Sequence, residues 1–66
     1  MMINFKEPPI KEGDTIKVHI DSIGKNGDGI SIYNKFIIII PETTKGKEYT
    51  IQITKVRNTY AFGKVI

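Results

Sequence analysis

Five consecutive apolar residues, Phe36-Ile37-Ile38-Ile39-Ile40, decide most of what this chain can become. The run is short for a helix, and β-branched side chains pack better on a pleated strand than against a helical turn. It reads as a strand apolar on both faces, so it is central in a sheet or covered at one end, and Pro41 ends it. Left bare, such a strand templates aggregation. Only 66 residues are available to cover it. A domain of that size buries only about 60% of its unfolded surface. The chain has no cysteine, so no disulfide or thiolate metal site compensates for a thin core, and its single histidine is a poor start for a zinc site.

The other runs complete an all-β pattern. Residues 1–12 read as an N-terminal tail, because Pro8-Pro9 forbids regular pairing. Ile16, Val18 and Ile20 alternate with Lys17, His19 and Asp21, the period of a half-buried strand. Gly24-Lys25-Asn26-Gly27-Asp28-Gly29 is a reversal, since Asn-Gly and Asp-Gly tolerate positive φ. Ile30 and Ile32 alternate with Ser31 and Tyr33 in a second strand, with Tyr33 outward, and Asn34-Lys35 makes a tight turn into the apolar run. After a polar loop over 42–47, Tyr49, Ile51 and Ile53 alternate with Thr50, Gln52 and Thr54, which places Tyr49 with the core. Arg57-Asn58 then turns the chain into a fifth strand over 59–66. Five short strands in meander order suggest a small closed barrel of the OB or SH3-like type. The 42–47 loop leaves no room for a substantial helix.

Charge points to one end of the chain. Residues 1–48 hold seven lysines and seven acids, and the whole net charge of +3 comes from Lys55, Arg57 and Lys64. An acid-free basic end with interleaved aromatics suits a polyanion, although a net charge of this size also serves solubility. In Thr59-Tyr60-Ala61-Phe62-Gly63-Lys64-Val65, alternation puts Tyr60, Phe62 and Lys64 on one face and Ala61, Gly63 and Val65 on the other. Small residues fit a narrow interior already filled with isoleucine, so the aromatic face points out. The inverse arrangement would bury Lys64, which is costly. An exposed Tyr-x-Phe-x-Lys strip is what unpaired nucleic acid needs: rings to stack on bases and cations for phosphates. Arg57 and Lys55 flank the strip, and arginine both stacks and binds phosphate with two bonds. Phe36, beside Lys35, either offers another ring or caps the barrel end. Lys25 in the glycine turn is a further candidate cation.

Catalysis finds no support. His19 and Asp21 can pair on the outer face of the first strand, but no nucleophile or second histidine accompanies them. The glycine segment lacks the spacing of a phosphate-binding loop and no helix follows it. No apolar run approaches the roughly 20 residues that span a bilayer, and the chain does not start as a signal peptide does. The expectation is a cytoplasmic, stand-alone, monomeric module with no metal, no cofactor and no membrane contact.

From Gly13 to Ile66 the sequence resembles the TRAM domains. The resemblance is carried by Gly13-Asp14, by Gly24-Lys25-Asn26-Gly27-Asp28-Gly29-Ile30, by Ile40-Pro41 and Gly46, by the alternation from Tyr49 to Val56, and by Asn58-Thr59-Tyr60-Ala61-Phe62-Gly63. It implies a single OB-like barrel domain over 13–66 that binds RNA, of a kind found in tRNA-modifying enzymes and in small stand-alone archaeal proteins. The stand-alone members imply an RNA chaperone resembling bacterial cold-shock proteins, with single-stranded or partly structured mRNA, tRNA or rRNA as partner. Family members often have glycine where this chain has Lys35, an aromatic at Ile39 and an acid at Lys47.

Overall fold

The computed structural model describes residues 9–66, so most of the expected tail, residues 1–8, lies outside the described residues. Six strands form: β1 (Thr15–His19), β2 (Ser22–Ile23), β3 (Gly29–Tyr33), β4 (Phe36–Ile40), β5 (Glu48–Val56) and β6 (Tyr60–Val65). There is no helix among the described residues, hence none long and apolar enough to cross a membrane. The ladder runs β1-β5-β6-β4-β3-β2. Its two ends are consecutive pieces of one segment, residues 15–23. Around the break, the Ile20 amide bonds to Lys47 O at 2.9 Å and the Asp21 amide to Ile30 O at 2.8 Å. The first strand thus leaves β5 and joins β3, curling the sheet into an OB-like barrel.

Two expectations change here. The first strand is counted twice because it bends at Ile20–Asp21, giving six strands where the sequence suggests five. The order is also not a meander: β4 pairs with β6 in parallel, Ile37 opposite Tyr60 and Ile39 opposite Phe62, while β5 crosses to β1. This crossing brings the basic C-terminal strand against the apolar run.

The interior is almost all isoleucine. Ile20, Ile38, Ile40, Ile51 and Ile53 are fully enclosed with Ala61, and Val18 and Phe36 join them. Ile10 is 3% exposed and belongs to the same core, so the barrel takes in residues that the Pro-Pro motif assigned to a tail. Backbone bonds from Gly13 to Ile53 O at 2.7 Å, and from Ile53 to Asp14 O at 2.8 Å, tie this segment to β5.

The apolar run is not buried on both faces. Phe36, Ile38 and Ile40 point in, whereas Ile37 is 42% exposed and Ile39 half-buried. The expected faces of β3 are inverted as well: Ser31 is inside, Tyr33 packs on the core, and Ile30 and Ile32 face out. Register is the cause. The tight turn pairs Tyr33 with Phe36, and this sets Ser31 opposite Ile38 and Ile32 opposite Ile37. Once Ile38 is inside, Ser31 must be too, and a small residue fits that crowded position.

That turn uses left-handed backbone at Asn34 (φ 50°) and Lys35 (φ 67°), the geometry of a two-residue hairpin. Asparagine tolerates it; lysine does so at a cost. Lys35→Gly should therefore raise stability by about 0.5–1 kcal/mol, read as a higher urea midpoint; an unchanged or lower midpoint would contradict this account of the turn. At the other end of the barrel, the Tyr49 hydroxyl accepts the Thr44 amide at 3.0 Å and fastens the 42–47 loop. Hydrogen bonding from Thr44, side chain first and then backbone, holds the Tyr49 phenol below its usual pKa.

Candidate nucleic-acid interface

The β6 strip faces outward over residues 60–64. Ala61 and Gly63 are buried, while Tyr60 is 37% exposed, Phe62 is half-buried and Lys64 is exposed. Val65 departs from the expected inward position and is 42% exposed; it lies beyond Phe62, the last residue of β6 paired with β4. The rings of Tyr60 and Phe62 lie 5.5 Å apart at 83°, an edge-to-face pair. Each ring thus leans on the other rather than on the core.

A bulge supplies the adjacent cation. Ile53 pairs with Gly63, but Lys55, not Thr54, pairs with Phe62, and Val56 pairs with Ala61. Thr54 is the extra residue, and its hydroxyl donates to Phe62 O at 3.2 Å. Without this insertion Lys55 would oppose Ala61 and point into the barrel. With it, Lys55 turns out beside Phe62 and Val56 turns in. The sequence carries a trace of this in the apolar spacing, which steps by two from Tyr49 to Ile53 and then by three to Val56.

Lys55, Arg57 and Lys35 lie toward the same end of the barrel, near the start of β6 and the turn into β4, and all three are exposed. Arg57 sits in the β5–β6 turn, which is closed by its amide bonding to Tyr60 O at 2.8 Å. Lys64 continues the strip at the far end of β6, opposite Gln52. No acid occurs in residues 29–41 or 49–66, the segments that build this face.

Two candidates fall away from the cluster. Phe36 is 7% exposed and packed in the core, so of its two readings the structure selects the cap at the barrel end; its ring offers no face to a base. Lys25 lies in the β2–β3 turn, at the opposite end of β3 from Lys35. Sequence reasoning missed Ile32, Ile37 and Ile39, which extend the same outer face. The parallel pairing of β4 with β6 that brings them there leaves no local signal.

His19 and Asp21 do meet, with Nδ1 and Oδ1 3.4 Å apart and both residues exposed. The second oxygen of Asp21 accepts the Ile32 amide at 3.0 Å, which secures the seam where β2 gives out. This is a structural contact at the sheet edge. Among the described residues no group of acids and histidines is placed to hold a metal.

Comparison with known proteins agrees with this fold. The family model of the TRAM domain matches residues 9–66. The chain belongs to the TRAM family. An uncharacterized protein of Methanocaldococcus jannaschii is 41% identical over 58 residues, covering 88% of this TRAM chain and 75% of that protein. The beta subunit of translation initiation factor 2 from Methanothrix thermoacetophila is 37% identical over 57 residues, but the match spans only 27% of its length. Among solved structures, a conserved protein of Methanococcus maripaludis superposes with a TM-score of 0.85 at 30% identity, covering 91% of this chain and 86% of that one. The TRAM match begins before Ile10, in agreement with the place of that residue in the core.

Proposed function

We propose that this TRAM domain binds unpaired RNA with little sequence preference and acts as an RNA chaperone, melting weak secondary structure in cytoplasmic RNA as a monomer. The observation that supports it most is the Tyr60–Phe62 pair held outward on β6, with Lys55 brought beside Phe62 by a bulge. Membership in the family supports the coarser part of the reading, RNA binding. Preference for open strands follows from physics: stacked duplex bases offer no free face to a ring, and unpaired ones do. Lys35, Lys55, Arg57 and Lys64 supply the phosphate contacts. Release is fast enough for a chaperone because few groups hold the strand.

The test is fluorescence anisotropy of a labelled unstructured RNA beside a matched hairpin and a DNA duplex. Saturable binding that favours the open strand is expected. Four neutralised phosphates should give a slope of log K against log salt of about −3, and a hairpin beacon should open on addition of protein. Absence of binding at low salt would turn the basic face toward an acidic protein instead. A second reading, a translation-associated factor, is favoured by the likeness to the initiation-factor subunit. It predicts tighter binding to folded tRNA than to the unstructured strand.

A further inference from the structure

The aromatic strip is only half of the outer face it lies on. Moving across the ladder from β6, Tyr60 is followed by Ile37 and then Ile32, and Phe62 by Ile39 and then Ile30. Ile32 is 60% exposed, Ile37 is 42% exposed, and Ile30 and Ile39 are half-buried. Strands in a sheet are about 4.8 Å apart, so the row from Tyr60 to Ile32 extends roughly 10 Å beyond the ring pair. That is room for a further base along the strand. The shelf is continuous with the proposed RNA-binding strip and ends at Lys35 in the β3–β4 turn; its own segments carry no acid, and Asp21, which accepts the Ile32 amide, borders it beyond β3.

The chemistry of the shelf is narrow. Isoleucine has no π-face and no hydrogen-bonding group, so all it offers a base is apolar contact. Across the two rows from β6 to β3, the Tyr60 hydroxyl is the one polar side-chain atom. A protein tells RNA from DNA at a given site by reading the 2′-hydroxyl, which takes a polar partner. An apolar surface instead rewards the C5-methyl group that thymine has and uracil lacks.

We infer that this face also binds single-stranded DNA, and that its isoleucine half favours thymine over uracil. The inference rests on the reading of the β6 strip as a nucleic-acid surface.

Three labelled strands of about 15 nucleotides, long enough for one small barrel, separate the ideas: oligothymidylate DNA, oligodeoxyuridylate DNA and oligouridylate RNA. Titrated at one salt concentration, the thymidylate strand should bind no more than about threefold weaker than the RNA, since the isoleucine half has no polar side chain to read the 2′-hydroxyl. It should bind the protein about threefold or more tighter than the deoxyuridylate strand, the scale of one methyl group removed from water. The variant Ile32→Ser/Ile37→Ser should erase the difference between the two DNA strands, and it should weaken RNA binding by a smaller factor than thymidylate binding. RNA binding that exceeds thymidylate binding by more than that threefold margin overturns the inference and leaves the RNA reading standing. Equal binding of the two DNA strands by the wild-type protein overturns the thymine preference, with no need for a folded variant. If none of the three strands binds, the RNA reading fails as well.

Discussion

Phe62→Ala should weaken binding of an unstructured RNA by about five- to a hundredfold, the range of one base–aromatic stack removed. Phe62 occupies the middle of the face, with Lys55 on one side, Ile39 on the other and Tyr60 leaning on its ring. Its backbone carbonyl, which accepts the Thr54 hydroxyl, is untouched by the substitution, so the bulge that orients Lys55 survives. The half-buried ring lies outside the isoleucine core, and the fold should persist. The diagnostic feature is the salt dependence. No charge is removed, so affinity should fall by the same factor at every salt concentration, with the slope unchanged. Arg57→Ala should do the reverse, lowering affinity modestly and flattening the slope by about 0.7, because one phosphate fewer is neutralised. A folded Phe62→Ala protein with undiminished affinity would remove β6 from the interface. A changed slope would mean that the ring acts by positioning the cations rather than by stacking.

Local pattern made the strands legible, and it failed where register or topology overrode it. The outward turn of Tyr60, Phe62 and Lys64 followed from size: alanine and glycine fit the narrow interior and lysine does not. β1 alternated as read, with Val18 inside, and Ile20 just past its end is inside too. β3 was misleading for the same physical reason that made β1 readable. Four isoleucines too many for the interior exist on β3 and β4, and hydrophobicity alone cannot say which stay out. The hairpin register decides it, by setting Ser31 against buried Ile38. Ile10 was hidden behind two prolines that do forbid pairing but do not forbid packing. The cluster of Lys35 with Lys55 and Arg57 could not be read at all, because it depends on the parallel pairing of β4 with β6, between segments about twenty residues apart in sequence. The exposed isoleucines follow from the same pairing. The surface that makes this barrel a candidate binder is thus a product of topology, whereas the strands that compose it are a product of pattern.

Gly29→Ala should destabilise the fold by about 1.5–3 kcal/mol, although alanine is ordinarily the better strand residue. Gly29 opens β3 opposite Ile40 and Ile23 and is buried. A Cβ there would run into the Thr43 hydroxyl and approach Ile20 Cγ2 and Ile40 O, each at 3.2 Å. None of these can give way cheaply. The Thr43 hydroxyl donates to Ile40 O at 3.0 Å and would lose that bond by rotating. Ile20 is fully enclosed, and the Ile40 carbonyl is backbone at the end of a strand. Gly29 has no left-handed φ, so the backbone itself would accept alanine and the effect is one of space. In a domain this small the loss corresponds to a melting temperature lower by roughly 6–24 °C. Gly24→Ala is the control. Its Cβ would meet nothing closer than Ile30 Cδ1 at 3.5 Å, an ordinary van der Waals distance, and it too lacks a positive φ. That variant should melt at the wild-type temperature or slightly above, because alanine restricts the unfolded chain. Thr43→Ala placed in the Gly29→Ala background should recover part of the loss, since it removes the atom that the new methyl meets first. Equal shifts at positions 24 and 29, or no recovery in the double variant, would mean that crowding beside Thr43 is not what makes glycine necessary at the start of β3.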